Sequence, residues 1–173
     1  MRVIEAGTLT LEPQTVAHAG EMFAVLSDPA IYEYENEPPP SLEWLRDRFA
    51  RLESRYSPDR QEQWLNWVIR LPTPELVGYV QATVRANGCA DIAYVLSSAY
   101  WGRGFARQAT QAMIAELVAH YHARQLSAVL KRQNLRSLRL LERLGFAPAS
   151  PELQAKYQVE QGEVLMLREF QGT

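Results

Sequence analysis

The sequence predicts a mixed α/β (α+β) domain with a largely antiparallel sheet, and three observations carry that class. Apolar residues recur at helical spacing in the first third, the period falls to two between residues 64 and 96, and helical spacing returns after residue 105. Asn87-Gly88 stands between two alternating runs, a strong short-range hairpin signal, so those two strands pair antiparallel. The second run, ending Ile92-Ala93-Tyr94-Val95-Leu96, passes through a glycine-containing loop directly into an apolar helix. A length of 173 residues with 47% apolar and 22% charged side chains suits one ordinary domain, and excludes a disordered tail or a coiled coil. One domain over residues 1–173 is expected, because no repeat appears and Glu37-Pro38-Pro39-Pro40 is too short to link two domains.

In chain order, Leu9 to Glu12 reads as a short strand. A helix follows from about Thr15 to Leu26, with Val16, Ala19, Phe23 and Leu26 on one side, and Asp28-Pro29 ends it. Ser41 is an N-cap for a second helix in which Leu42, Leu45, Phe49 and Leu52 repeat, while Arg46, Arg48, Arg51 and Arg55 fill its other faces. Trp64 to Leu71 and Leu76 to Arg85 alternate as strands, and Asn87-Gly88 predicts a type I′ turn into a strand over Cys89 to Leu96. Phe105, Ala109, Met113 and Leu117 mark the helix after the glycine loop. Leu126 to Leu130 is a short buried strand. Asn134 opens a helix with Leu135, Leu138 and Leu141 inward, stopped by Gly145, and Gly162 to Phe170 is a last strand. The count is six to seven strands and four main helices.

Composition narrows the function. No apolar run approaches the roughly 18 to 20 residues that cross a bilayer, and no secretory core follows Met1, so a soluble cytoplasmic protein is expected. Cys89 is the single cysteine, and His120 and His122 lie two apart on a helix and face apart, so no metal is expected. The net charge of -2 conceals an uneven distribution. Residues 1–60 hold 11 acids and 6 bases, whereas residues 101–150 hold 2 acids and 8 bases. An anionic and a cationic ligand can be divided between those segments.

The loop Tyr100-Trp101-Gly102-Arg103-Gly104-Phe105-Ala106 is neither of two familiar phosphate loops. It lacks the Gly-Lys-Ser/Thr of a Walker loop, and Arg107 stands where a dinucleotide fingerprint needs a small residue. Either it is a tight turn, or its N–H groups at a helix N-terminus bind a phosphate. With the strand before it, the loop resembles the acetyl-coenzyme A loop of the GNAT superfamily of N-acetyltransferases. Asn134-Leu135-Arg136-Ser137 and Leu144-Gly145-Phe146 match that superfamily's second motif at the expected interval. The aromatic-Trp-Gly-basic-Gly form is similar to the RimJ/RimL-like ribosomal-protein N-terminal acetyltransferases. The likeness covers roughly Leu76 to Phe146.

The resemblance implies a GNAT-like twisted sheet, with acetyl-coenzyme A motifs over about 89–146 and acceptor-side helices over about 15–55. It implies acetyl transfer from acetyl-coenzyme A to a primary amine, by direct attack, and assigns coenzyme contacts to Val95, Leu96, Gly102, Arg103, Gly104, Phe105, Ala106, Arg107 and Asn134. Arg136, Arg139 and Arg143 form a basic stripe that is either a solvated face or a neighbour of the coenzyme's 3′-phosphate. Asp91 stands where the subgroup often has Glu, and is a direct base, a water-relayed one or a surface carboxylate. The superfamily's usual Tyr acid falls on Leu141, so Ser137 is the substitute acid, or a hydroxyl bonded within its helix. Deprotonating a lysine at pH 7 costs about 4.6 kcal/mol, an α-amine only about 1 kcal/mol, which suits a weak base and favours a protein N-terminus or a small amine. Tyr32, Glu33, Tyr34 and Glu35 are candidates for holding a cationic acceptor. Two other readings are a coenzyme A-binding module without acetyl transfer and a nucleic-acid module, the latter lacking any RNA-reading motif. A homodimer is the default assembly.

Overall fold

The long alternating runs become the middle of one eight-stranded sheet in the computed structural model, which describes residues 1–34 and 36–170. In chain order the elements are β1 (Ile4–Ala6), β2 (Leu9–Pro13), a 3-10 turn over Val16–His18, α1 (Ala19–Leu26), α2 (Leu42–Leu52), β3 (Glu62–Arg70), β4 (Leu76–Arg85) and β5 (Cys89–Leu96). Then come α3 (Phe105–Tyr121), β6 (Gln125–Lys131), α4 (Leu135–Arg143), β7 (Ala147–Pro148), α5 (Pro151–Lys156) and β8 (Glu163–Glu169). The sheet order is β1-β2-β3-β4-β5-β6-β8-β7, antiparallel except where β5 meets β6. This is the mixed α/β class expected, with β1, β7 and α5 in addition. Three- and two-residue strands are too short to show a period. The start of α5 was legible, since Ser150 caps it by accepting from the Leu153 N–H and Pro151 follows.

Alternation divides the sheet into two faces. Leu65, Trp67 and Ile69 of β3 with Val80, Ala82 and Val84 of β4 face the core under α3, where Ala109, Met113 and Leu117 are fully buried. Val68 of β3 and Tyr79 of β4 face the other way, against Ala19, Met22 and Leu26 of α1 and Leu45 and Phe49 of α2. Ser41 holds the start of α2 by accepting from the Trp44 N–H at 3.1 Å. Burying a leucine of such a stripe stabilises by about 1.5–3 kcal/mol, far more than helix propensity supplies.

Two local geometries depart from the sequence expectation or add to it. The β4–β5 connection is a three-residue turn, not type I′. The Gly88 N–H bonds the Arg85 carbonyl at 3.0 Å, only Gly88 of the pair has positive φ, and the Asn87 side chain accepts from the Cys89 N–H. At its other end β4 carries a bulge. Ile69 pairs with Gly78 but Arg70 with Leu76, so Val77 is the extra residue. The bulge presses Gly78 onto the end of β5. A Cβ there would lie 2.0 Å from the Val95 carbonyl oxygen.

Candidate active site

The one parallel contact is short. β5 and β6 pair only from Cys89 to Asp91 against Gln125 to Ser127. Beyond it each strand stays bonded on its outer side, β5 to β4 as far as Leu96 and β6 to β8 as far as Lys131, while their facing edges separate. Backbone direction alternates along a strand. The Ser97 N–H reaches the Val77 carbonyl at 2.8 Å, which turns Ser97 and Val95 toward β4 and leaves the N–H groups of Tyr94 and Leu96 on the open edge. A cavity of about 580 Å³ occupies the gap and continues over the α1/α2 face. Ala93, Tyr94 and Val95 line it with Ala128 and Val129 of β6, Asn134 and Ser137 of α4, and Tyr79 and Arg48 on the far side.

The glycine loop stands at the head of α3, beyond the end of β5. Gly104 is the N-cap with φ +80, and Gly102 has φ +74. The first helical bond is given by Gln108 to the Gly104 carbonyl, which leaves the N–H groups of Phe105, Ala106 and Arg107 without a helical partner. A Cβ added at Gly102 would meet nothing within 4 Å, and at Gly104 only the Gln108 Nε2 at 4.0 Å. The space beside the loop is therefore clear of protein, and fits an anionic group on backbone donors at a helix N-terminus. Arg103 and Arg107 are exposed beside it, Arg103 lying 5.3 Å from the Tyr100 ring.

The loop is braced by contacts that periodicity does not reveal. The Trp101 Nε1 donates to the Leu96 carbonyl at 2.8 Å, and the Arg136 guanidinium stacks 3.6 Å from the Trp101 ring, tying β5, the loop and α4 together. Asp28 accepts from the Ser98 N–H at 2.7 Å and from the Ala30 N–H at 3.0 Å. Burial works against its charge, but these N–H groups prevail and hold the carboxyl below the usual aspartate range. Asp28 thus locks the segment after α1 to the start of the glycine loop. A helix-ending Asp-Pro was all the sequence showed of it.

Asn134 caps α4 through its side-chain oxygen on the Ser137 N–H at 3.2 Å and also lines the cavity. The cap uses the side-chain oxygen and leaves the amide nitrogen free of it. Ser137 lines the cavity too, and among the described residues its hydroxyl has no intrahelical bond. Leu141, in the usual tyrosine position, is 1% exposed and packs in the core. Tyr94 reaches across the gap instead, donating to the Ser137 carbonyl at 3.3 Å. Burial pushes its phenol up to about 12, so it is a neutral donor at physiological pH.

Asp91 lies outside the cavity, on the last paired rung of β5 and β6. Its carboxylate accepts from Arg85 at 2.5 Å and from the Ser127 hydroxyl. Four strand residues, roughly 13 Å, separate it from Val95. Replacing Asp91 with Asn is expected to lower turnover less than about threefold while costing some thermal stability through the Arg85 pair. A hundredfold rate loss in a folded variant would restore it as the base.

The acceptor candidates divide. Tyr32 and Tyr34 line the cavity, and Tyr32 is a structural donor as well, giving its hydroxyl to the Leu26 carbonyl at 2.6 Å, with burial raising its phenol to about 12. Glu33 is exposed and does not line the cavity, and Glu35 lies outside the described residues. Arg48 on α2 sits there instead, 5.6 Å from the Trp44 ring, with Glu37 the one acidic lining residue described. Charge counted along a segment does not say which face the charge occupies, and of the four candidates it is the two tyrosines that are seen to reach the cavity.

Residues 8–147 match the model of the acetyltransferase (GNAT) domain, and the chain belongs to that family. A relative from Bacillus licheniformis, described as the uncharacterized N-acetyltransferase p20, is 26% identical over 149 residues, covering 84% of this chain and 83% of its own. Among solved structures, RimL, a ribosomal L7/L12 alpha-N-protein acetyltransferase in complex with coenzyme A, superposes with a TM-score of 0.82 at 19% identity, covering 97% of this chain and 98% of that one. The ribosomal-protein-S5-alanine acetyltransferase from Vibrio fischeri gives 0.79 at 16% identity, with 96% of each chain covered. At these identities the likeness is one of fold. Among the described residues no helix is long and apolar enough to cross a membrane.

Proposed function

We propose that this protein transfers the acetyl group of acetyl-coenzyme A to the primary amine of a protein N-terminus or a small molecule, in the manner of the RimJ/RimL-like subgroup. The observation that carries the reading is one cavity in which the open edge of β5, the α4 residues Asn134 and Ser137, and the acceptor-side helix α2 meet. The glycine loop, Arg103 and Arg107 hold the anionic end of the coenzyme, whose contribution is an acyl group activated as a thioester.

The amine lone pair attacks the carbonyl carbon, the C–N bond forms, and the C–S bond breaks. The backbone N–H of Leu96, on the open edge, stabilises charge growing on the carbonyl oxygen; the Val95 N–H is committed to β4. With Asp91 bound to Arg85, the amine's proton leaves to water, which suffices for an α-amine that is about 1 kcal/mol from its neutral form at pH 7. The Ser137 hydroxyl gives its proton to the departing thiolate and is restored from solvent.

Ser137→Ala is expected to slow turnover about tenfold to a thousandfold at unchanged coenzyme affinity, read by thiol release and calorimetry. Full activity would remove Ser137 from the mechanism and leave Tyr94, tested by Tyr94→Phe, as the donor. The absent tyrosine at 141 and the engaged Asp91 favour one other reading, a coenzyme-binding module without turnover. An amine panel that releases no thiol despite coenzyme binding would establish it.

A further inference from the structure

The cavity does not end at Arg48. It shares Arg48, Leu52, Asn66 and Gln81 with a neighbouring groove of about 740 Å³, which runs along the same sheet face toward the segment after α2. The floor is regular because residues two apart share a face. Tyr79, Gln81 and Thr83 of β4 follow one another, with Asn66 paired to Gln81 and Trp64 to Thr83 across β3. Arg48, Arg51 and Arg60 stand over that floor, and no carboxylate lines it among the described residues.

These three arginines differ from others in the fold. Arg2, Arg70 and Arg85 are each bound to a carboxylate at 2.5–2.7 Å. Arg48 and Arg60 instead lie over aromatic rings, Trp44 at 5.6 Å and Tyr56 at 5.8 Å, and none of the three has an ion-pair partner among the described residues. Arg51 and Arg60 are exposed. The groove therefore offers uncommitted guanidinium groups above the side-chain amides of Asn66 and Gln81, which suit a peptide backbone.

From Tyr79, opposite Val95, to Thr83, opposite Asp91, the floor spans four residues, roughly 13 Å, or about four residues of extended chain. A small amine held at Val95 does not reach Arg51 and Arg60. We propose that the acceptor is a polypeptide N-terminus followed by acidic residues, laid extended along β4 so that its α-amine meets the open edge of β5. The carboxylates at about its second to fifth positions are read by Arg48, Arg51 and Arg60. The inference rests on the acetyl-transfer reading for the position of the amine, and on the groove alone for the sign of the charge.

The test measures binding apart from turnover. Eight-residue peptides with a free α-amine, a common first residue and a C-terminal fluorophore, carrying acidic, neutral or basic residues at positions two to five, are titrated with the coenzyme A-saturated protein. Fluorescence anisotropy is expected to show the acidic peptide binding at least about tenfold more tightly than the neutral one at low salt, with the preference shrinking as salt is added. Arg51→Glu with Arg60→Glu is expected to erase or invert that order without changing coenzyme affinity. Arg60→Gln alone, at an exposed position, gives a partial loss should the double variant misfold. Equal affinity for the three peptides, or tighter binding of a single-stranded RNA oligonucleotide than of the acidic peptide, overturns the inference. Thiol release from the same peptides separates the two levels. Acid-selective binding without release defeats acetyl transfer but not the groove, and release without charge preference defeats the groove alone.

Discussion

Gly104→Val is expected to weaken coenzyme A binding by more than about 100-fold, a loss of about 2.7 kcal/mol, while the protein stays folded. The side chain has two separate effects. Within the protein the new Cβ has room, since the nearest atom is the end of the Gln108 side chain at 4.0 Å. What remains inside the fold is the cost of holding a β-branched residue at φ +80, about 1–2 kcal/mol, or a few degrees in melting temperature. The larger effect falls on whatever approaches the N–H groups of the loop, because the side chain fills the space those donors face. Gly162→Val is the control, a turn with φ +89 and nothing within 4 Å of the added Cβ. It carries comparable strain outside the loop, in the turn whose carbonyl accepts from the Arg132 N–H, and is expected to leave coenzyme affinity intact. Isothermal calorimetry on both variants decides the matter, and unchanged affinity in folded Gly104→Val would end the assignment of the loop.

Gly78→Ala should have the opposite profile, a loss of stability in the fold itself. The added carbon would sit 2.0 Å from the Val95 oxygen and 2.9 Å from the Leu96 Cα, backbone atoms that no rotamer change removes. Overpacking of this kind costs about 3 kcal/mol, which for a chain of this size lowers the melting temperature by about 6–12 °C. Because β4 would have to withdraw from the end of β5, the open edge beside Val95 and Leu96 moves with it. Thermal unfolding followed by circular dichroism checks the first effect, and a drop below about 2 °C would show that the bulge at Val77 absorbs the methyl group.

The parts of this structure that were legible in the sequence are those written in local chemistry. β4 and β5 have the limits that alternation gives them, Ser41 and Asn134 cap the helices they precede, and the glycine loop stands at the head of α3. The site itself was legible only in part, because its functional contacts join residues far apart in the chain. Nothing local to Trp101 foretells that Arg136 will stack on it, and nothing local to Asp28 foretells Ser98 as its partner. The partners of Asp91 are non-local in the same way. Its place on β5 was clear, but Arg85 and Ser127, which engage its carboxylate, come from two neighbouring strands. The sequence likewise places Arg48 and Arg51 on the outer faces of α2, and only β3 and β4 beneath them make those faces the border of a groove.

Among the described residues, three paired rungs between β5 and β6, with the Gly88 carbonyl accepting from the Arg124 and Gln125 N–H groups beside them, join the backbone of the two halves of the sheet, the five-strand body ending at Leu96 and the three-strand body of β6, β8 and β7. The sheet therefore has a seam between its two bodies, spanned beyond those rungs by side chains such as Tyr94. A ligand lodged there works as additional ladder, so its binding energy is also cohesion between the two bodies. Amide exchange along Ala128 to Leu130 and Tyr94 to Leu96 should slow together on saturation, and occupancy becomes a property of the whole sheet rather than of one pocket.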